Sequence, residues 1–311
     1  MNMDNIKIPV LAAPLQGVTD NVWRMAQHKV FGGPDTYYAP FMRVEHGEVR
    51  RKDLRDVDPE RNEGITLIPQ ILACQPDHAL MMVDALRQMG YSRIDINLGC
   101  PFPPIAMHRK GSGMLAHPDL VEALFKALAT VEGAEYSVKM RIGWDSNDQW
   151  RNILPLMDLI KPVHIAVHPR TGRQQYKGDL DIEQFEALLA ASPWPVVYNG
   201  SLRTVEDIEQ TIERYPTLAA VMVGSGLAAN PGMFTPEPPP TITAVSTTCW
   251  LTATPSNSTA VKPSWCATCR ISGRPSCPVP ATNCSRPSAS PARSTSTRTP
   301  PLPPLPMSRT P

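Results

Sequence analysis

The strongest constraint on the fold is a repeated alternation of short apolar segments with longer amphipathic ones across residues 1–234. Strands that alternate with helices form a parallel sheet, because two parallel strands need a crossover connection. The predicted strands are Pro9–Ala13, Thr36–Pro40, Thr66–Leu72, Arg93–Asn97, Tyr136–Arg141, His164–His168, Pro195–Asn199 and Ala219–Val223. Eight such units in about 230 residues predict an α/β protein with a (β/α)8 TIM barrel.

Amphipathic periodicity predicts helices in most intervals between these strands. The predicted helices are Asn21–Val30, Pro76–Met89, Pro118–Thr130, Asp148–Ile160, Ile182–Ala191 and Val205–Tyr215. The segment Val44–Glu63 is highly charged and poorly periodic, so no element is predicted for it.

The composition changes sharply near Phe234, which predicts two domains, 1–234 and 235–311. The last 77 residues contain 17 of the 35 prolines and 26 serines or threonines. Proline recurs too often there for a helix, so a disordered low-complexity tail is predicted. Cys266 and Cys269 have a zinc-ligand spacing, but Cys277 and Cys284 do not repeat it and the tail lacks histidine. No metal site is therefore predicted.

Charge and hydropathy exclude other classes of protein. The formal net charge is +1, so no overall basic excess indicates a nucleic-acid partner. No apolar run approaches the ~18 residues of a membrane span, and no secretory signal begins the chain, so a cytoplasmic protein is expected.

The tail's mixture of residues is also what a GC-rich gene read out of frame encodes. We therefore hypothesise a frameshift near codon 234, which an uninterrupted reading frame on resequencing would refute.

Polar and glycine-rich residues follow seven of the eight predicted strands, where the chemistry of a (β/α)8 barrel lies. The turns Asn199-Gly200-Ser201 and Gly224-Ser225-Gly226 predict a phosphate site, because small residues let backbone N–H groups approach phosphate oxygens. The alternative is that both are simply tight turns. A flavin would suit such a site, since Lys139 and His168 could supply charge and donors to its ring. Alternatively, Lys139 is paired with an acid and His168 is an ordinary core histidine.

Cys100 lies just beyond the fourth strand, between Gly99 and Pro101. A thiol with a pKa near ~8.5 is mostly protonated at neutral pH and suits a general acid. The alternative is a small buried hydrophobe, which we also assign to Cys74. The run His108-Arg109-Lys110 and a rim of further basic residues, including Arg43, Arg50, Arg170 and Arg173, could hold a polyanion.

Four motifs, in order, resemble the tRNA-dihydrouridine synthases. They are Ala13-Pro14-Leu15-Gln16-Gly17-Val18-Thr19-Asp20, Asn97-Leu98-Gly99-Cys100-Pro101, Val138-Lys139-Met140-Arg141-Ile142-Gly143-Trp144 and His168-Pro169-Arg170-Thr171. The resemblance implies a barrel enzyme that reduces uridine to dihydrouridine in tRNA, using FMN recharged by NADPH and no metal. It implies a hydride from FMN to C6 of uracil and a proton from Cys100 to C5.

The resemblance also implies the roles of the other residues. Pro14, Leu15 and Gln16 would line the flavin, and Gln70, Lys139 and His168 would contact its ring. Its phosphate would be held by Asn199, Gly200, Ser201, Gly224 and Ser225. Asn97 and Arg141 would lie near the flavin and the target base, with Arg170 of the basic rim as a further substrate contact.

The chain departs from the family pattern in three places. Ser225 stands where the family usually has arginine, and Ala39-Pro40-Phe41 stands where a glutamate is common. The tail stands where the family's helical tRNA-gripping domain begins. Two alternatives therefore remain open: an FMN barrel oxidoreductase acting on a small pyrimidine, and a catalytically impaired RNA-binding remnant. The oligomeric state is not indicated.

Overall fold

The computed structural model describes residues 6–235, which form a closed parallel barrel surrounded by helices. The strands are β1 Val10–Ala12, β2 Thr36–Tyr38, β3 Val44–Glu45, β4 Glu48–Val49, β5 Leu67–Ile68, β6 Gln70–Ile71, β7 Arg93–Leu98, β8 Glu135–Gly143, β9 Ile165–Thr171, β10 Val196–Tyr198 and β11 Ala220–Val223. Strand β1 pairs with both β2 and β11, which closes the ring. The (β/α)8 prediction is confirmed, whereas the predicted tail and its cysteine pairs lie outside the described residues.

The third barrel strand, predicted as Thr66–Leu72, is divided at Pro69 into β5 and β6. Strand β5 pairs with β2, and β6 pairs with β7. Proline has no N–H group to donate to a neighbouring strand, so the ladder is interrupted there. The Pro69 carbonyl still accepts from the Asp95 N–H at 2.9 Å, which keeps the barrel closed.

Nine α-helices lie among the described residues, and proline or a polar cap begins several of them. They are α1 Asn21–Val30, α2 Arg51–Asp56, α3 Pro76–Gln88, α4 Pro103–Ala106, α5 Pro118–Leu128, α6 Trp150–Ile153, α7 Ile182–Ala191, α8 Val205–Arg214 and α9 Ser225–Ala229. Asp20 caps α1 by accepting from the Trp23 N–H at 3.1 Å. Thr204 and Asp207 form a reciprocal capping box at α8.

Other regions also differ from the prediction, and the short helices α2, α4 and α9 lie where no helix was predicted. The helix predicted over Asp148–Ile160 is a short α6 followed by a 3-10 helix, Leu154–Leu159, because Pro155 cannot donate an α-helical hydrogen bond. The charged segment Val44–Glu63 contains the β3–β4 hairpin, whose turn residues His46 and Gly47 both have positive φ, at 52° and 79°. Such a two-residue turn gives no amphipathic signal.

The barrel interior has two kinds of filling. Apolar side chains that point inward form a buried cluster: Leu11, Ala13, Tyr38, Ile68, Ala166, Val197, Ala220 and Met222. Polar residues, among them Gln70, Asp95 and Asn97, are buried in the third and fourth barrel strands. The larger apolar core lies between the barrel and its helices. Within residues 6–235, no helix is long and apolar enough to cross a membrane.

Candidate active site

A cleft of about 320 Å³ lies at the carboxyl ends of the barrel strands. It brings together all the predicted site residues except Gln70 and Gly200. The predicted residues that line it are Pro14, Leu15, Gln16, Asn97, Cys100, Lys139, Arg141, His168, Arg170, Asn199, Ser201, Gly224 and Ser225. Pro40 and Phe41, from the segment that departs from the family pattern, also line it.

Gln70 lies beneath the cleft rather than at its surface. Its side chain is 0% exposed. Nε2 donates to Asp95 Oδ2 at 2.6 Å, and Oε1 accepts from Asn97 Nδ2 at 2.7 Å. Gly200 does not line the cleft. Because it has no side chain, the Tyr198 hydroxyl can pack close to its backbone, where a Cβ would lie only 3.0 Å from that hydroxyl.

The loop that carries Cys100 is held from two sides. Asn97 Oδ1 accepts from the N–H groups of Gly99 and Cys100 at 3.0 and 2.8 Å. On the other side, Ser112 Oγ donates to the Cys100 carbonyl at 2.8 Å. Gly111 has a φ of +56°, and a Cβ there would lie 2.9 Å from Cys100 Cβ. These contacts fix the backbone that aims the thiol at the cleft.

The Cys100 thiol is kept neutral by its surroundings. Burial raises the pKa of this thiol, while the Phe102 backbone N–H and the cations Arg141 and Lys139 lower it by less. A raised thiol pKa means that Sγ carries a proton at neutral pH. Cys100 is therefore suited to donate a proton rather than to attack as a thiolate.

Lys139 lines the cleft as a cation. No salt bridge within residues 6–235 includes it, although the charge of the buried Asp95 carboxylate acts on it. Burial and Arg141 lower the pKa of Lys139 to about 8, against the opposing effects of Asp95 and Cys100. Most Lys139 side chains are therefore protonated at pH 7.

His168 is neutral, and its tautomer follows from its neighbour. Arg170 Nη1 donates to His168 Nε2 at 3.0 Å, and because a guanidinium has no acceptor, Nε2 carries no proton. Burial, reinforced by Arg141, Lys139 and Arg170, lowers the pKa of His168 well below its usual value. His168 can therefore offer an Nδ1–H donor, while the positive charge comes from Lys139.

Arg141 and Arg170 donate most of their guanidinium hydrogen bonds to other residues of the site. Arg141 donates through Nε to the Gly99 carbonyl at 3.0 Å and through Nη1 to the carbonyls of Thr171 and Gln175. Arg170 donates through Nη2 to Ser201 Oγ at 3.2 Å. Arg141 thus ties the Cys100 loop to the loop after β9, and Arg170 reaches from His168 to the glycine-rich turn.

Among the cleft residues that sequence reasoning missed, Tyr176 and Arg203 carry side chains that could contact a ligand. Tyr176 is 64% exposed, and its ring centre lies 5.3 Å from the Arg141 guanidinium carbon. Arg203 lines the cleft just past the Ser201 turn and forms no salt bridge within residues 6–235. A Cβ on Gly226 would lie 2.8 Å from Arg203 Cα, so Arg203 adjoins the last turn. Single loop residues such as these carry no periodic signal.

The basic rim is partly neutralised. Glu45 pairs with Arg43 at 2.9 Å and with Arg50 at 3.5 Å. Asp145 pairs with Arg173 at 3.7 Å. These three arginines are therefore less available to a polyanion than the sequence suggested. In the described part of the chain, no cluster of three or more histidine, cysteine or acidic residues could hold a metal ion.

Comparison with known proteins identifies the family. The family model described as "Dihydrouridine synthase (Dus)" matches residues 10–249. The chain belongs to this family. It is 26% identical over 236 residues to tRNA-dihydrouridine synthase B of Pasteurella multocida (strain Pm70), covering 74% of this chain and 68% of that protein. It is 27% identical over 237 residues to the probable tRNA-dihydrouridine synthase 2 of Bacillus subtilis (strain 168), covering 73% and 71%.

Solved structures support the fold. The old yellow enzyme from Trypanosoma cruzi superposes with a TM-score of 0.50 at 10% identity, over 71% of this chain and 85% of that one. A 2-naphthoyl-CoA reductase complex superposes with a TM-score of 0.51 at 9% identity, over 72% and 49%. At these identities the likeness concerns the barrel architecture.

Proposed function

We propose that this protein reduces uridine to 5,6-dihydrouridine in tRNA, using FMN as cofactor and NADPH as electron donor, in the cytoplasm. The observation that carries the proposal is the neutral Cys100 thiol, which shares one cleft with the cationic Lys139. Membership of the dihydrouridine synthase family and the tRNA-dihydrouridine synthases among its relatives support it.

The cleft has the chemistry that FMN requires. Among the described residues, no aspartate or glutamate lines it, which favours an anionic cofactor. Lys139 and the His168 Nδ1–H can serve the electron-accepting edge of the ring, while Pro14 and Leu15 supply apolar surface. Since Gln70 is buried beneath the cleft, we assign it to support this surface rather than to contact the ring.

The phosphate would lie at the turns after β10 and β11. Asn199, Gly200, Ser201, Gly224 and Ser225 form the small-residue cradle. Arg170 and Arg203 adjoin this cradle and offer positive charge, which is absent at Ser225. We therefore add Arg203 to the residues that would hold FMN and place Arg170 at the phosphate end as well as at the substrate.

FMN held by these residues and reduced by NADPH would supply the hydride for C6 of the uracil ring. Cys100 Sγ–H gives its proton to C5, so that the C5–C6 double bond becomes a single bond with two added hydrogens. The thiolate that remains is stabilised by the Phe102 N–H, Arg141 and Lys139, and it recovers a proton from solvent. The Cys100 thiol therefore carries a proton before the reaction, and these neighbours stabilise the thiolate that forms when the proton is donated.

The target base must leave its stack to reach a cleft inside the barrel mouth. Asn97, Arg141 and Tyr176 line the part of the cleft near Cys100 and would face that base. The exposed Tyr176 ring, held against Arg141, offers a stacking surface.

The test is to incubate the flavin-loaded full chain with NADPH and a tRNA transcript that contains no modified bases. Nucleoside mass spectrometry should detect dihydrouridine at the expense of uridine. Free uridine, uracil and dihydroorotate serve as competing substrates. Turnover of a free pyrimidine with unmodified tRNA would favour the small-substrate oxidoreductase. Binding of tRNA without any turnover would favour the RNA-binding remnant.

A further inference from the structure

A buried carboxylate, Asp95, lies beneath the cleft and takes no part in the reaction proposed above. The parallel register places Gln70 and Ser137 beside it on the two neighbouring strands. Gln70 Nε2 donates to one carboxylate oxygen and Ser137 Oγ to the other, both at 2.6 Å. The Asp95 side chain is 0% exposed, so it cannot touch a substrate.

The hydrogen bonds continue from Asp95 to the loop of Cys100. Gln70 Oε1 accepts from Asn97 Nδ2 at 2.7 Å, and Asn97 Oδ1 accepts from the N–H groups of Gly99 and Cys100. An ionised carboxylate can only accept hydrogen bonds, and a backbone N–H can only donate. With both ends fixed in this way, each amide between them has one orientation that satisfies all its partners.

We propose that Asp95 is a positioning residue that fixes, through Gln70 and Asn97, the loop that carries Cys100. The importance of that loop rests on the proposed function. An apolar side chain at this point would leave the Gln70 amide without its buried acceptor, which is costly. The titratable groups whose charges act on Asp95, or on which Asp95 acts, are Lys139 and Tyr38.

Substitutions of equal shape can reverse the direction of these hydrogen bonds. In Asn97→Asp, the new carboxylate still accepts from the loop N–H groups but presents a second acceptor to Gln70. Gln70 then lies between two carboxylates. Its NH₂ group can donate to one of them, so its amide oxygen faces the other, where no hydrogen bond can form. We expect the amides of Gly99 and Cys100 to exchange about 10-fold faster or more, the effect of leaving buried polar groups unsatisfied.

The double variant Asp95→Asn/Asn97→Asp should repair this defect. The new amide at position 95 can donate to Gln70 Oε1, and Gln70 Nε2 can then donate to the new carboxylate at position 97, which accepts from the loop. The carboxylate has moved to the other end, and every partner is satisfied. We expect amide exchange within about 3-fold of wild type. Asp95→Asn alone should be mild, since the oxygen of the new amide can accept from Gln70 and its nitrogen can donate to Ser137.

The experiment measures hydrogen exchange by mass spectrometry on a peptide that contains Gly99 and Cys100, in the flavin-loaded full chain at pH 8. At that pH the Asp95 carboxyl, whose pKa is raised by burial to about 6, is ionised. Alkylation of the Cys100 thiol gives a second reading of loop order. Asn152→Asp, at an exposed position of α6, is the matched control and should leave both readings unchanged.

Rescue of loop protection in the double variant supports the proposal, because size and burial are the same in all these variants. Equal exchange in Asn97→Asp and the double variant overturns it, as does wild-type exchange in Asn97→Asp. If Asn97→Asp does not fold, recovery of folded protein in the double variant is the supporting result and its absence the contrary one. None of these readings uses tRNA, so a failure of the proposed function would be seen separately in the dihydrouridine assay.

Discussion

The two sides of the barrel mouth differ in the groups that they present to the cleft. On the third to fifth barrel strands, the site consists of side chains that interact strongly: Asp95, Gln70, Asn97, Cys100 and Lys139. On the seventh and eighth, it consists of backbone and small residues, with Asn199 tied to the Met222 carbonyl at 2.6 Å. Arg170, on the sixth barrel strand, lies between the two sides, and Arg141 reaches from the fifth strand to the Thr171 carbonyl at the end of the sixth.

This difference shows how one cleft can both hold a cofactor and tune its chemistry. The first side contains buried groups whose pKa values are shifted, so single substitutions there should change reactivity. In the proposed phosphate site, the second side would bind through backbone N–H groups, which every substitution except proline leaves in place, and its charge can come from more than one position. Arg203, beside the last turn, illustrates the second case, since Ser225 provides no charge.

The largest effect is expected at Cys100. Cys100→Ala removes the proton donor and should lower dihydrouridine formation by roughly 10²–10⁴-fold, with FMN binding unchanged. Single-turnover assays on transcript tRNA would measure it. Cys74→Ala is the matched control and should leave turnover unchanged, because Cys74 packs against the core outside the cleft. Undiminished turnover in Cys100→Ala would contradict the role of Cys100 as proton donor.

The next effect concerns the charge of Lys139. Lys139→Met should weaken FMN binding at pH 7 by at least about 10-fold, the effect of losing a hydrogen bond to a charged group. In the wild type, the contribution of the Lys139 charge to FMN affinity should be full at neutral pH and fall as pH rises through about 8, where Lys139 loses its proton. Fluorescence titration of the apoprotein measures both. The exposed Lys29→Met is the control, and a pH-independent affinity in the wild type would contradict the assignment.

A smaller effect is expected at Arg203, beside the proposed phosphate site on the seventh and eighth barrel strands. Arg203→Ala should weaken FMN about 3- to 10-fold but leave riboflavin, which lacks the phosphate, unchanged. Adding Ser225→Arg should restore the preference for FMN, since the charge returns to the same cradle. Arg87→Ala, an exposed arginine on α3, is the control. Equal losses for FMN and riboflavin would place Arg203 away from the phosphate.

The smallest effect is on stability. Folding lowers the pKa of Lys139 from 10.5 to about 8, so its charge destabilises the apoprotein. Lys139→Met should therefore stabilise the apoprotein at pH 7 by on the order of 1 kcal/mol, reduced by solvent in the cleft. The gain should diminish between pH 8 and 10.5, where the wild type sheds its proton on folding. Chemical denaturation at pH 7 and pH 10 measures it, and a gain that grows with pH would contradict it.

The sequence predicted the barrel and most of the cleft because both depend on local patterns. Helix α1 and helix α7 have the predicted limits, and the strand ends carry the predicted polar residues. Pro69 divided the third strand and Pro155 shortened α6, because each lacks an N–H group. The sequence pattern does not show which hydrogen bond such a missing N–H would have formed. The burial of Gln70 beneath the cleft and the approach of Arg203 to Gly226 depend on register and loop path, which no sequence period encodes.

The most direct test of the claim that both sides of the mouth meet on one cofactor is the visible spectrum of the purified full chain, with the released flavin identified. The account predicts a yellow protein with one FMN per chain. A folded protein without flavin, and unable to take up added FMN, would contradict it.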